Sequence, residues 1–106
     1  MKTINISQVK TATSLLSKGL GVILWKDFGN SNGLLLTNTN SIHTFFVRFP
    51  LDLVFLSYDM KIIKLEKNLQ PFRISPLVWQ AKHVLEMPAG AIEKYGLKVH
   101  EKINLL

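Results

Sequence analysis

The chain has 106 residues, 47% of them hydrophobic and 19% charged, and it contains no cysteine. This size allows one domain with a single core, the composition excludes a disordered chain, and the lack of cysteine excludes disulfides, iron–sulfur clusters, thiolate zinc sites and cysteine nucleophiles. Thirteen basic and seven acidic residues give a formal net charge of +6, so an anionic partner has to be considered.

The N-terminal part of the chain is predicted to contain one short helix. Apolar residues from Val9 to Leu20 keep a helical spacing, and Gly19 stands where a residue in the left-handed conformation commonly ends a helix. We therefore expect a helix near residues 11–18.

The rest of the chain is rich in β-branched and aromatic residues. Residues 52–58 are apolar on both alternating faces, which predicts a buried central strand, and residues 61–67 carry charges, as expected of an outer strand. Residues 79–87 alternate with one mostly polar face, which predicts a half-buried strand. The predicted strands are residues 21–28, 34–36, 43–49, 52–58, 61–67, 79–87 and 99–105.

A short helical turn is predicted from Pro88 through Tyr95, with Gly96 at its end. Strands far outnumber helices, and no β-α-β alternation is present. The sequence therefore predicts one mainly β domain over residues 1–106, a compact antiparallel barrel or sandwich with one or two short helices.

No segment reaches the about 18 apolar residues that a membrane-spanning helix needs. The densest, residues 45–56, contains Arg48 and Asp52. Polar residues at positions 5, 7, 8 and 10 interrupt any secretory h-region, so we expect no membrane span, no signal peptide and a cytoplasmic protein.

Residues 42–56 combine polar and aromatic side chains in an unusual way. His43, Arg48 and Asp52 interrupt a run that is otherwise apolar enough for a core. On a structural interpretation, Arg48 pairs with Asp52, or Asp52 accepts hydrogen bonds from backbone donors in the turn at Pro50. On a functional interpretation, these groups lie at the mouth of a pocket.

Glu86 also has two interpretations. It lies just before Pro88, where a carboxylate can accept hydrogen bonds from the first amides of the following helical turn. Alternatively, Glu86 pairs with Asp52, one carboxyl group serving as general acid and the other as general base.

Three segments carry a family resemblance: KGLGVILWKDF followed by NGLLL, HTFFVRFPLDLVFL, and VLEMPAG. Over roughly residues 12–103 the chain resembles the ancient conserved region family called domain of unknown function 192. The motif positions of that family fall on Gly19 and Leu20, on His43, Thr44, Phe45, Pro50 and Asp52, and on Leu85, Glu86, Pro88, Ala89 and Gly90.

The chain departs from the family pattern at two places. Val47 stands where methionine is usual, and His100-Glu101 stands where a glycine-aspartate turn commonly precedes the last strand. The resemblance implies a compact β-rich domain and implies no activity.

Metal, cofactor and nucleic-acid sites are not favoured by the sequence. The histidines, at 43, 83 and 100, lack the spacing of local metal ligands, and no glycine-rich phosphate loop is present, so we expect no metal and no cofactor. Lys61, Lys64 and Lys67 alternate between the two faces of a strand and cannot form one basic stripe, which disfavours nucleic acid as a partner.

The leading hypothesis is a non-catalytic binding or interaction module, because polar groups are embedded among phenylalanines as in a ligand pocket. Its partner would be a small molecule or a protein, with the oligomeric state left open. The alternative is a small hydrolase-like enzyme using Asp52 and Glu86 with His43. The candidate ligand-binding residues are His43, Phe45, Arg48, Asp52 and Glu86.

Overall fold

The computed structural model describes residues 2–106, within which the chain forms seven strands and two short helices. Strand residues outnumber helical residues by more than two to one, which confirms a mainly β fold. In chain order the elements are β1 (Thr3–Ile6), β2 (Val9–Ala12), α1 (Leu15–Leu20), β3 (Gly33–Thr37), β4 (Leu51–Leu56), β5 (Ile62–Leu69), β6 (His83–Pro88), α2 (Ala91–Tyr95) and β7 (Lys102–Leu105).

The strands of the described chain form two sheets in a sandwich-like arrangement. The larger sheet has the order β2-β3-β6-β4-β5, and β1 pairs with β7 in a separate two-stranded sheet. The three pairs among β3, β6, β4 and β5 are antiparallel, whereas β1–β7 and β2–β3 are parallel. Of the two predicted architectures, the sandwich is therefore confirmed, and the sheets do not close into a barrel.

Each face of the five-stranded sheet is covered by its own hydrophobic cluster. On one face, Val54 and Leu85 pack with residues of β1, β7 and α2 in what we call the helix-side cluster. On the other face, Leu53 and Val84 pack with residues of the loops after α1 and β3 in what we call the loop-side cluster. Both faces of the central strands are therefore shielded from solvent. All six residues of β4 are buried, as predicted for a central strand.

The same covering corrects the prediction for β6. The sequence predicted one mostly polar face for residues 79–87, but the residues from Val84 to Met87 are all buried. The alternating pattern predicts that this face is exposed to solvent, but the loops after α1 and β3 cover the face on which Glu86 lies.

Two predicted strands, residues 21–28 and 43–49, are loops with a single isolated bridge at His43. Some of their backbone hydrogen bonds are local: the Ile23 amide donates to the Leu20 carbonyl at 2.8 Å, and the Val47 amide donates to the Thr44 carbonyl at 3.2 Å. Others join one loop to another, as the bond from the Thr44 amide to the Arg73 carbonyl does at 2.8 Å. These apolar segments cover the sheet and do not join it, so their β-propensity reflects burial.

The first helix begins four residues later than expected. Residues 9–12 form β2, and α1 begins after Ser14, whose hydroxyl oxygen accepts a hydrogen bond from the Ser17 amide in a reciprocal capping box. At the second helix, Gly96 ends α2 as predicted with a left-handed backbone at φ 63°, but Pro88 ends β6 instead of opening the helix.

Candidate functional site

Asp52 lies in β4 and is 2% exposed, and both oxygens of its carboxylate accept hydrogen bonds from backbone amides. Oδ2 accepts hydrogen bonds from the amides of Gly90 and Ile92, each at 3.0 Å, and Oδ1 accepts one from the amide of Asn68 at 2.9 Å. These bonds tie the N-terminus of α2 and the end of β5 to β4. The partners of Asp52 are thus backbone amides, and Arg48 is exposed to solvent instead of pairing with it.

Asp52 and Glu86 lie on opposite faces of the five-stranded sheet. Asp52 stands opposite Met87 of the helix-side cluster, whereas Glu86 stands opposite Leu34 and Leu53 of the loop-side cluster. Residues directly opposite each other on paired strands share a face of the sheet. The hypothesis of an acid–base pair made from these two carboxyl groups is therefore wrong, as is the expectation that Glu86 caps the following helical turn.

Glu86 is unusual because it is a carboxyl group that is buried without a hydrogen bond from the described residues to one of its oxygens. It is 3% exposed, and its Oε1 atom has no hydrogen-bond partner within the described residues. Burial raises the pKa of Glu86 to about 8, because desolvation penalises the charged form. At neutral pH the side chain is therefore mostly a neutral carboxylic acid, which has an O–H donor and a carbonyl acceptor.

Gly21 allows the loop after α1 to approach this carboxyl group. Its backbone has a φ of +49°, and a Cβ built there would lie 3.3 Å from Glu86 Oε1. A side chain at position 21 would thus combine a strained backbone with crowding of the carboxyl group. The sequence interpretation did not select Gly21, although it follows the Gly19-Leu20 pair of the family motif.

Glu86 lines a cavity of about 380 Å³ between the loop after α1 and the loop after β3. Val22, Leu36, Ile42 and Val47, which are buried, give it apolar walls. Its polar lining comes from Lys18, Asn38, Thr39, Asn40, Ser41 and His43. The run of small polar residues from 38 to 41, directly after the buried strand β3, was the sequence signal for this lining and was not recognised.

Of the candidate ligand-binding residues, the structure brings His43 and Glu86 to the same cavity. The His43 ring stacks on Phe45 with centroids 5.5 Å apart, and its Nδ1 accepts a hydrogen bond from the Phe45 amide at 3.2 Å. In the neutral imidazole this bond leaves the proton on Nε2, which is then a donor. Phe45 and Arg48 are exposed and do not line the cavity.

Neither a metal centre nor a membrane-spanning helix is found in residues 2–106. No group of three or more His, Asp or Glu side chains there is placed to hold a metal ion. Neither helix is long and apolar enough to cross a bilayer.

The architecture and the cavity define a small, mainly β, two-layered domain with a buried carboxyl group whose Oε1 atom lacks a hydrogen-bond partner among the described residues. The chain belongs to the family DUF192, described as an uncharacterised ACR, whose model matches residues 2–105. This confirms the family resemblance identified from the sequence motifs. No curated protein matches the chain.

Two crystal structures share the fold. A protein of unknown function from Novosphingobium aromaticivorans DSM 12444 has a TM-score of 0.78 and 19% identity, over 89% of this chain and 71% of that one. A protein from Sinorhizobium meliloti 1021, described as a "putative transcription regulator", has a TM-score of 0.74 and 20% identity, over 87% of this chain and 76% of that one. At these identities the likeness is one of fold.

Proposed function

We propose that this protein is a non-catalytic binding module that holds a small polar ligand in the cavity beside Glu86. The unpartnered Oε1 atom of this buried carboxyl group carries the proposal. A buried polar atom without a partner costs about 1 to 3 kcal/mol, and a ligand that supplies the missing hydrogen bond recovers part of that cost. The carboxyl group can therefore form a hydrogen bond with a ligand that enters the cavity.

The cavity favours an uncharged ligand of small size. Its volume of about 380 Å³ is at the lower end of the range of about 300–1,000 Å³ that is typical of small-molecule sites. A neutral Glu86 offers a donor and an acceptor side by side, which suits a group that has both, such as an amide, a lactam or an alcohol. The amides and hydroxyls from residues 38 to 41 suit the same chemistry, and the apolar walls suit the ligand's carbon atoms.

The hydrolase-like alternative requires Asp52 and Glu86 to act together as a pair. A hydrolase that uses two carboxyl groups needs both of them to face one substrate, and Asp52 faces α2 on the other side of the sheet. His43 at the cavity then acts in ligand binding, as a donor through Nε2.

A thermal-shift screen with small amides, lactams and polyols tests this proposal. The wild type is compared with Glu86→Leu, which removes the carboxyl group, and with Glu93→Leu, a control at an exposed position of α2. We expect a compound that raises the melting temperature of the wild type and of Glu93→Leu but not of Glu86→Leu, since a ligand that binds only the folded state stabilises it.

Amide chemical shifts locate the bound compound. We expect changes concentrated in residues 18–23 and 38–43, the two loops that line the cavity. A compound that shifts Glu86→Leu as much as the wild type, or a screen in which no compound shifts the wild type, would refute the proposal.

A further inference from the structure

A second feature is a group of exposed apolar residues that lies outside the cavity, in the loops after β3 and β5. Phe72 contacts both Phe45 and Phe46 there, with its ring centroid 6.2 Å from that of Phe45 and 5.6 Å from that of Phe46. Phe46 is 70% exposed, Phe72 is 54% exposed, and Ile74, which bridges to His43, is 68% exposed. We call Phe45, Phe46, Phe72 and Ile74 the aromatic surface.

The backbone holds two of these rings outward at an energetic cost. Phe46 and Phe72 have φ values of 65° and 62°, in the left-handed region where a residue other than glycine costs about 1 to 2 kcal/mol. Strain of this kind persists only where the surrounding structure imposes it.

The structure that imposes it is a buried threonine. The Thr44 amide donates to the Arg73 carbonyl at 2.8 Å, the Phe72 amide donates to the Thr44 carbonyl at 3.0 Å, and the Thr44 hydroxyl donates to the Gln70 carbonyl at 2.6 Å. The Arg73 amide in turn donates to the Thr44 hydroxyl oxygen at 2.9 Å. The two loops thus form one rigid platform that presents its phenylalanines to solvent.

The charged residues closest in sequence to this platform are basic. Arg48 and Arg73 are the only two arginines of the chain, both are exposed, and each lies within two residues of a phenylalanine of the aromatic surface. The segments that build the platform, residues 28–51 and 67–85, contain no aspartate or glutamate. The partner that complements such a surface is anionic and has an apolar layer.

We propose that the aromatic surface docks this protein on the surface of an anionic lipid bilayer. Phenylalanine and isoleucine side chains gain free energy by entering the boundary between headgroups and acyl chains, while arginines bind lipid phosphates.

Single-stranded nucleic acid fits the surface less well. Bases stack on aromatic faces that are open and parallel to them, whereas the ring planes of Phe45 and Phe46 meet that of Phe72 at 60° and 70°. One face of Phe45 is stacked against His43, and Ile74 has no ring. These features favour insertion into lipid over stacking with bases.

Co-sedimentation of the full chain with phosphatidylcholine vesicles, with and without phosphatidylserine, tests the proposal. We expect binding to the phosphatidylserine vesicles, reduced about tenfold by Phe46→Asn and by Phe72→Asn, because each removes a large apolar side chain from the interface. Asparagine tolerates the left-handed backbone, so both variants keep the fold. Tyr58→Asn, at an exposed aromatic residue in the β4–β5 turn, is the matched control and leaves binding unchanged.

The charge is tested in the same assay. Arg48→Gln and Arg73→Gln are each expected to weaken binding about fivefold, whereas Lys98→Gln, beside the helix-side cluster, leaves it unchanged. Vesicle binding that survives both phenylalanine substitutions, or that falls equally with Lys98→Gln, would show diffuse attraction by lysines and overturn the proposal. Binding of a single-stranded oligonucleotide without vesicle binding would assign the surface to nucleic acid, and binding of neither would equally refute the proposal.

Discussion

The carboxylate of Asp52 accepts a hydrogen bond from the amide of Ile92 and so caps the first turn of α2. Its Oδ2 accepts hydrogen bonds from the amides of Gly90 and Ile92, both at 3.0 Å. The N-cap residue of α2 is Gly90, which has no side chain with which to cap. A residue of a distant strand therefore supplies the acceptor that the local sequence lacks, and this bond network fixes α2 against the sheet.

The first prediction concerns the charge of this cap. Asp52→Asn replaces one acceptor oxygen with an NH₂ group that faces backbone N–H donors, so we expect the free energy of unfolding to fall by about 3 kcal/mol. Urea denaturation measures this loss. Asp27→Asn, at an exposed position, is the control and should change stability by less than about 0.5 kcal/mol. A stability of Asp52→Asn equal to that of the wild type would contradict the structural role of Asp52.

The second prediction concerns pH and Glu86. Its pKa is raised by burial from 4.5 to about 8, so between those values the folded state holds a proton that the unfolded state has released. Stability from this group is complete below about pH 4.5 and is lost as the pH rises towards about 8, by at most about 1.4 kcal/mol per pH unit. Glu86→Gln cannot ionise and escapes this loss.

We therefore expect Glu86→Gln to gain stability relative to the wild type as the pH is raised from about 5 to about 8. Urea denaturation at both pH values gives the difference. The lowered pKa of His83 is present in both proteins and cancels in the comparison. Glu93→Gln, at an exposed position, should follow the wild type at both pH values, and a Glu86→Gln curve that follows it as well would show that Glu86 is not held neutral.

The sequence could predict the hairpin of β4 and β5 but not the cavity. In β4 the apolar residues occupy both faces, and only a central strand buries both, so its position follows from composition. The cover over Glu86 consists of loops whose apolar residues, such as Val22 and Val47, look like strand residues because they are equally buried. Which face of β6 that cover meets depends on tertiary packing, and no local pattern contains this information.

Tertiary packing also decides which of the candidate site residues lie together. His43 and Glu86 meet at one cavity because the loop after β3 folds over the sheet, whereas Asp52 is separated from Glu86 by the sheet itself. Spacing along the sequence could not distinguish these outcomes. The residues that Glu86 contacts depend on the position of β6 between β3 and β4, and this strand order is not contained in the spacing.

The third prediction compares two glycines that are not in left-handed conformations. A Cβ at Gly33 would lie 3.0 Å from the Glu86 carbonyl oxygen and 3.0 Å from Leu85 Cδ1, so Gly33→Ala forces β3 away from β6. We expect a loss of about 1 to 3 kcal/mol. Gly19→Ala, in α1 with nothing within 4 Å of its Cβ, should instead stabilise by up to about 1 kcal/mol through helix propensity. Thermal unfolding distinguishes the two signs, and a stabilised Gly33→Ala would contradict the tight β3–β6 register.

The last prediction measures how closely the loop after α1 is packed on Glu86. Gly21 and Gly29 both have positive φ values, of 49° and 55°, so alanine at either position strains the backbone. Gly21 has a ψ of −123°, outside the left-handed helical region, so its backbone strain is its own and Gly29 serves only as a control for indirect effects of Glu86. At Gly21 the new methyl group would also lie 3.3 Å from Glu86 Oε1, whereas at Gly29 the nearest atom is the oxygen of an exposed Asp27 at 3.6 Å. We expect the crowding against Oε1 to contribute about 1 kcal/mol to the cost of Gly21→Ala.

A double-mutant cycle measures the part of this cost that comes from the carboxyl group. In a Glu86→Ala background the contact with Oε1 is gone, so the cost of Gly21→Ala should fall by about 1 kcal/mol, while the cost of Gly29→Ala should stay the same. Urea denaturation of the wild type, the three single variants and the two double variants gives all the terms. If Gly21→Ala costs the same with and without the Glu86 carboxyl group, the close approach of this loop to Glu86 is wrong, and the cavity loses the wall that Gly21 provides.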